Sequence, residues 1–169
     1  MPNVAVPGPP EGLWGLLKFH QVAVYHIRPD TAVHEWAGMG YSNWVSDVAT
    51  LIGTEWGHRS EKVGEMWFNY DILPMELEYV HYSTTTRHSG DGRTGHIPFI
   101  SHMSTYVEDV DDTVKRISEE HDVEPYHKFQ TSGHLNPSVK ERGLTFREAI
   151  YDTRHLLGFD IKLIQRIEG

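Results

Sequence analysis

Short apolar runs, broken by glycine, proline and charged residues, recur along the whole chain. In the first half they predict strands over residues 16–27, 55–58, 65–70 and 75–83, the first of which is rich in β-branched and aromatic residues. A helical spacing of apolar residues predicts an amphipathic helix over 42–52. The first half is therefore predicted to have the order β-α-β-β-β.

The second half shows the same order of patterns. Strands are predicted over 99–107, 124–130, 145–152 and 159–167. A helix is predicted over 109–120, with acidic residues in its first turn, where they suit the helix dipole. Because both halves give β-α-β-β-β, the chain is predicted to contain one structural unit twice.

These patterns divide the chain into four segments. We expect a proline-rich arm over 1–11, a first βαβββ module over 12–83, a linker over 84–95, and a second module over 96–169. The two modules are expected to form one domain. Within the second, 131–143 has no periodicity and is predicted to be a mobile loop over the space that the sheet encloses.

Single residues repeat as well. His20 and His102 each begin an apolar run, and Glu78 and Lys162 lie 58 and 60 positions after them in similar strands. An internal repeat of this kind is a strong indicator of fold. Strand alternation would point Glu78 and Lys162 into the concave side of a curled sheet, where both histidines can meet them.

Composition narrows the chemistry. The chain has twelve histidines but no cysteine, so a metal site would have to use nitrogen and oxygen ligands. A formal net charge of −9 argues against nucleic-acid binding, and no apolar run approaches the roughly 20 residues of a membrane span. We expect a cytoplasmic protein that binds a small molecule.

Four short motifs are similar to the ligand strands of glyoxalase I: LKFH at 17–20, EYVHY at 78–82, ISH at 100–102 and GFDIKLI at 158–164. On these motifs the chain resembles the vicinal oxygen chelate superfamily, which includes glyoxalase I, extradiol dioxygenases, fosfomycin-resistance proteins and methylmalonyl-CoA epimerase. The resemblance implies an α+β fold in which two βαβββ modules form a curled, mixed β-sheet cleft around one divalent metal. By analogy it also implies a homodimer.

The resemblance implies that His20, Glu78 and His102 are the metal ligands. Lys162 stands where glyoxalase I has a glutamate, which leaves two histidines and one carboxylate, the ligand set of non-haem Fe(II) oxygenases. Fe(II) is therefore the favoured metal, with Mn, Ni, Co or Zn as alternatives. Glu76, one strand period away, is the competing carboxylate.

Three functions stay open at this stage. The favoured one is an Fe(II) dioxygenase; the second is a lyase, isomerase or epimerase with the metal as Lewis acid. The third is a metal-free binding protein in which the Lys162 ammonium neutralises Glu78 directly. Lys162, Tyr25 and His81 are the candidate catalytic residues. His121, His127 and His134 match no compact metal motif and are expected at the surface.

Overall fold

A computed structural model describes residues 18–83 and 98–169, and in these ranges the chain forms eight strands and four helices. The strands are β1 Gln21–Tyr25, β2 Val45–Glu55, β3 His58–Asn69, β4 Glu76–Tyr82, β5 Phe99–Tyr106, β6 His127–Ser132, β7 Thr145–Tyr151 and β8 Asp160–Ile167. The helices are α1 Pro29–Gly38, α2 Val110–His121, α3 Pro137–Glu141 and α4 Arg154–Leu157. The predicted arm over 1–11 and linker over 84–95 lie outside the described residues.

The strands form a closed barrel in the order β1-β4-β3-β2-β6-β7-β8-β5. Each module contributes four neighbouring strands, and β1 pairs with β5 to complete the ring. Within each module the first and last strands are parallel, β1 with β4 and β5 with β8. The remaining pairs are antiparallel. This confirms the predicted α+β fold of two βαβββ modules.

The helix predicted over 42–52 is wrong, because this segment forms most of β2. Asp47, Ala49 and Leu51 alternate inward and are buried, while Ile52 is exposed, as a strand requires. The helix of the first module is instead α1, which begins at Pro29. Proline suits the first turn of a helix, where its missing N–H would have no partner within the helix.

The two modules meet along β2 and β6, where Gly53 lies opposite Phe129. The strands approach so closely here that a Cβ atom at position 53 would lie 2.0 Å from the backbone oxygen of Lys128. Only glycine fits without moving the backbone. We call this contact the module seam.

Apolar packing closes one end of the barrel. The buried residues of this core come from inward positions of five strands and from the residue just before β6; they are Ala23, Leu51, Val80, Tyr82, Tyr126, Phe129 and Ile150. Along β4 and β7, the inward residues before Val80 and Ile150 are Glu78 and Glu148. The barrel interior therefore changes from apolar to charged about halfway along its length.

A second core lies outside the barrel under α2. Val110, Val114 and Ile117 pack there on Ala149, Tyr151 and Leu163. The Asp109 side chain caps this helix by accepting a hydrogen bond from the Asp112 amide at 2.9 Å. No helix in the described ranges is long and apolar enough to cross a membrane.

Candidate functional site

A cavity of about 490 Å³ occupies the charged end of the barrel, a volume typical of small-molecule sites. Its floor carries Glu78, Glu148 and Lys162, and Glu76 lies beside them. Much of its wall is apolar and includes Met66, Phe68, Leu144, Phe146 and Ile164. Residues 131–143, which were predicted to lie over the space inside the sheet, do border the cavity. Five of them line it: Thr131, His134, Asn136, Val139 and Arg142.

Lys162 lies between two carboxylates at the cavity floor and is only 4% exposed. Its Nζ is 3.1 Å from Glu148 Oε2 and 4.0 Å from Glu78 Oε2. Burial alone would lower the pKa of Lys162, but the two carboxylates outweigh burial and raise this pKa above its usual value. Lys162 is therefore a buried ammonium ion.

The two carboxylates share this one cation. Burial raises the pKa of both Glu78 and Glu148, and the nearby Lys162 ammonium offsets part of that rise. One ammonium can neutralise only one carboxylate, so the second can hold a proton at a higher pH than a free glutamate does. A base and an acid can thus stand side by side at the cavity floor.

His102 lies directly behind Glu78 and is fully buried. Its Nε2 is 3.3 Å from Glu78 Oε2, and its Nδ1 is 3.2 Å from Ser101 Oγ. Burial, and then the charges of Lys162 and Arg154, lower the pKa of His102 well below its usual range. The imidazole is consequently neutral and can hold the Glu78 side chain in place.

His20 does not reach this group. Its side chain is exposed, and its Nδ1 accepts a hydrogen bond from the Tyr106 amide at 3.3 Å. Gln21 faces the cavity instead, where its amide donates to Glu76 and accepts from Ser104 Oγ at 2.7 Å. Neighbouring residues of a strand point to opposite faces, so a shift of one position determines whether His20 or Gln21 enters the site.

The strand register explains this difference. In the first module Gln21 pairs with Glu76, and in the second His102 pairs with Asp160, each two residues before Glu78 or Lys162. The structural equivalent of His102 is therefore Gln21 and not His20. The sequence contains a signal for this alignment, since aligning Gln21 with His102 also aligns Tyr25 with Tyr106.

The described residues do not fit the predicted metal site. They contain no group of three His, Cys, Asp or Glu side chains that could hold a metal ion. A cation bound between Glu78 Oε2 and His102 Nε2 would also lie near the Lys162 ammonium, which is 4.0 Å from the same carboxylate oxygen. Two cations so close in a buried site repel strongly. Neither Fe(II) nor Mn, Ni, Co or Zn is accommodated by a triad of His20, Glu78 and His102.

Tyr25 and His81, the other candidate catalytic residues, contact each other with ring centroids 5.9 Å apart. Tyr25 packs against the apolar core at the closed end, and neither residue lines the cavity. The structure therefore brings Lys162, but not Tyr25 or His81, to the cavity floor.

His134 was expected at the surface, and that expectation is wrong because the residue is 8% exposed and lines the cavity. Its Nδ1 lies 2.6 Å from Asp47 Oδ2, and its Nε2 lies 3.1 Å from Thr131 Oγ1. Asp47 and His134 are 87 positions apart and meet only because β2 pairs with β6. No local motif in the sequence could have identified this pair.

His127 was also expected at the surface, and this expectation is wrong too. It is buried at the closed end of the barrel, with its Nδ1 3.4 Å from Nζ of a second buried lysine, Lys62. Burial, and then the charges of Lys62 and Lys162, lower the pKa of His127 to about 3. The barrel thus holds two buried lysines, Lys162 at the cavity floor and Lys62 at the closed end.

No family model matches the sequence. No curated protein is significantly similar to it. Solved structures do match. A complex of methylmalonyl-CoA epimerase with methylmalonyl-CoA and NH4+ has a TM-score of 0.56 at 13% identity, covering 89% of this chain and 94% of that one.

A variant of methylmalonyl-CoA epimerase from Streptomyces coelicolor, bound to 2-nitronate-propionyl-CoA, also has a TM-score of 0.56, at 14% identity over 89% of this chain and 97% of that chain. The chain shares the fold of methylmalonyl-CoA epimerase. A triple mutant of 4-hydroxymandelate synthase from Streptomyces coelicolor shares it, with a TM-score of 0.50 and 12% identity, although the match spans only 50% of that chain. One fold thus serves differently named enzymes, so the function of this chain has to be argued from its site.

Proposed function

We propose that this chain is an enzyme that moves a proton on a carbon atom beside a carbonyl group, without a metal ion, in the manner of an epimerase or isomerase. One observation carries the proposal. The Lys162 ammonium lies at the floor of the cavity, 3.1 Å from Glu148 and 4.0 Å from Glu78. A fixed positive charge therefore stands beside two groups that can accept or donate a proton.

The chemistry follows from these three side chains. A carbonyl oxygen of the substrate accepts a hydrogen bond from Lys162, and one ionised carboxylate removes the proton from the adjacent carbon. The electrons of the broken C–H bond move onto the carbonyl oxygen, where the ammonium stabilises the enolate. Return of a proton from the second carboxylate to the opposite face inverts the carbon. Apolar walls exclude water from this exchange.

The structural neighbours support this choice by analogy. Methylmalonyl-CoA epimerase, over nearly its full length, has the same fold. The proposal also uses a cation in the role that a Lewis-acid metal would have in the predicted epimerase alternative. The predicted Fe(II) dioxygenase is less well supported, because only one of its two histidines, His102, lies beside Glu78.

Hydrogen exchange in D2O tests the proposal directly. The purified protein would be treated with a chelator, analysed for metal content, and incubated with methylmalonyl-CoA and with short 2-oxo acids and acyl thioesters. Loss of the ¹H NMR signal at the carbon beside the carbonyl would report proton transfer. We expect exchange in metal-free protein and a loss of about 10²-fold or more in Lys162→Gln, as for removal of an oxyanion donor.

Lys115→Gln is the matched control, because Lys115 is an exposed lysine on α2 that pairs with Glu119. Its exchange rate should equal that of the wild type. Exchange that appears only after addition of a divalent metal would contradict the proposal. Tight binding of these compounds with no exchange at all would show a binding protein instead.

A further inference from the structure

Two arginines at the cavity mouth hold the same carboxylate oxygen. Arg142 Nη2 lies 2.6 Å and Arg166 Nη2 lies 2.7 Å from Glu168 Oε1. Both arginines line the cavity, with side chains 53% and 43% exposed. The pair therefore faces both the cavity and the solvent, where an entering molecule would meet it.

This mouth differs in charge from the rest of the cavity. At and beside the floor, three carboxylates, on Glu76, Glu78 and Glu148, surround one cation, Lys162, and the whole chain has a net charge of −9. Two guanidinium groups converging on one oxygen form a site suited to a single anionic group, since guanidinium matches the geometry of carboxylate and phosphate oxygens.

The strand sets the distance between this mouth and the floor. Lys162 and Arg166 lie on the same face of β8, with Ile164 between them, and all three line the cavity. Four residues of a strand span about 13 Å between Cα atoms. A small molecule lying along β8 can therefore place an oxygen at Lys162 and an anionic group at Arg166.

Glu168 is held at the mouth by its neighbours along the chain. Gly169 packs on Gly143, whose missing side chain would lie 3.4 Å from the Gly169 Cα. Gly143 directly follows Arg142 and has a φ of +60°, a left-handed conformation that favours glycine. Because ion pairs this exposed contribute little to stability, an entering anion can displace the Glu168 side chain.

We propose that Arg142 and Arg166 bind the anionic group of the substrate, a carboxylate or a phosphate, and that Glu168 occupies this site until the substrate displaces it. The inference rests on the proposed function, because it assigns the other end of the same substrate to Lys162. It defines the substrate class as small acids whose anionic group is separated by several bonds from the reacting carbonyl group.

Calorimetric titration with two probes, glutarate and inorganic phosphate, tests the site without any assay of activity. We expect binding of at least one probe at low salt to weaken about tenfold in Arg142→Gln and in Arg166→Gln, as for the loss of a charge-assisted hydrogen bond. Glu168→Ala should bind the same probe more tightly, by up to about tenfold, because the internal competitor is gone.

Two control variants match these changes in charge. Arg147→Gln removes an exposed arginine that pairs with Asp111, and Glu119→Ala removes an exposed glutamate that pairs with Lys115. Both should leave probe binding unchanged. The probe that responds to the arginine variants identifies the anionic group as carboxylate or phosphate.

Unchanged probe binding in both arginine variants would overturn the arginine site, and unchanged binding in Glu168→Ala would overturn the displacement by Glu168. The proposed function can fail separately. If the arginine variants weaken probe binding but no compound exchanges hydrogen, the anion site stands and the proton-transfer function fails. If exchange occurs and the arginine variants bind the probes as the wild type does, the proton-transfer function stands and the anion site fails.

Discussion

Lys62 and Lys162 are both buried in the barrel, yet their surroundings shift their pKa values in opposite directions. Lys162 has Glu148 and Glu78 within 4.0 Å, and its pKa is raised. Among the residues that the structure describes, Lys62 has only the Glu55 carboxylate at that range, 3.7 Å away, and burial lowers the pKa of Lys62 to about 8 although Glu55 and Glu148 oppose the shift. Two similarly buried lysines can thus have pKa values shifted in opposite directions, and the number of nearby carboxylates decides the direction of the shift.

The largest expected effect is that of Lys162→Met. It leaves Glu78 and Glu148 buried without a cation, and breaking such a pair costs about 3–5 kcal/mol. This loss in the free energy of unfolding should be smaller at pH 5 than at pH 8. Carboxyl groups with a raised pKa in the folded state add stability at low pH and lose it as pH rises through that pKa. Urea unfolding at both pH values measures the difference, and an equal loss at the two would contradict this explanation.

Glu148→Gln should make Lys162 resemble Lys62. Lys162 then keeps one carboxylate, Glu78, at 4.0 Å, so burial should prevail and bring its pKa below the usual lysine value. The free energy of unfolding should fall by about 2 kcal/mol, the cost of a lost charged hydrogen bond. NMR of ¹⁵N-labelled lysine side chains follows the titration. Glu55→Gln serves as the control and should lower the pKa of Lys62 while leaving that of Lys162 in place.

A smaller effect is expected from the titration of Lys62 itself. Between pH 8 and 10.5 the unfolded chain keeps the Lys62 proton while the folded chain has lost it, so folding stability rises with pH. Relative to that of Lys62→Met, the free energy of unfolding of the wild type should rise by up to about 3 kcal/mol between pH 8 and 10.5. Unfolding of both proteins at several pH values isolates the contribution, because other groups titrate alike in the two. A constant difference would show that Lys62 stays charged when buried.

The smallest expected effect is that of Tyr82→Leu. The Nζ of Lys62 lies 5.1 Å from the centre of the Tyr82 ring, a cation–π contact that favours the charged amine. Without the ring, the pKa of Lys62 should fall further, by less than about one unit. The same ¹⁵N titration measures it. A rise in the pKa of Lys62 would mean that the hydroxyl group or the volume of Tyr82 affects this pKa more than the cation–π contact does.

The fold could be predicted from sequence because the two halves repeat their order of elements and many strands show alternating patterns. Glu78 and Lys162 were placed correctly in the cavity for the same reason. The segment 42–52 was misassigned because Trp44, Val45, Val48, Leu51 and Ile52 also satisfy a helical period. Its pairing with β3 and β6, far along the chain, decides the outcome.

The rest of the site depends on register and on distant contacts. An error of one residue in aligning the repeats selected His20 in place of Gln21 and so predicted a metal triad. Glu148 and the Asp47–His134 pair had no equivalent in the motifs, and they reach the cavity through strand pairing alone. The homodimer and the cytoplasmic location stay predictions, whereas the described residues do not fit a metal triad of His20, Glu78 and His102.

Gly53 has a consequence for assembly as well as for packing. Any side chain at this position would push β2 from β6 and open the barrel along the module seam. The two freed strand edges would then present unpaired backbone groups, which readily pair with the same edges of another molecule. A chain opened in this way would be able to exchange a module with a second chain. A single hydrogen atom in place of a side chain thus lets β2 and β6 of one molecule stay paired with each other.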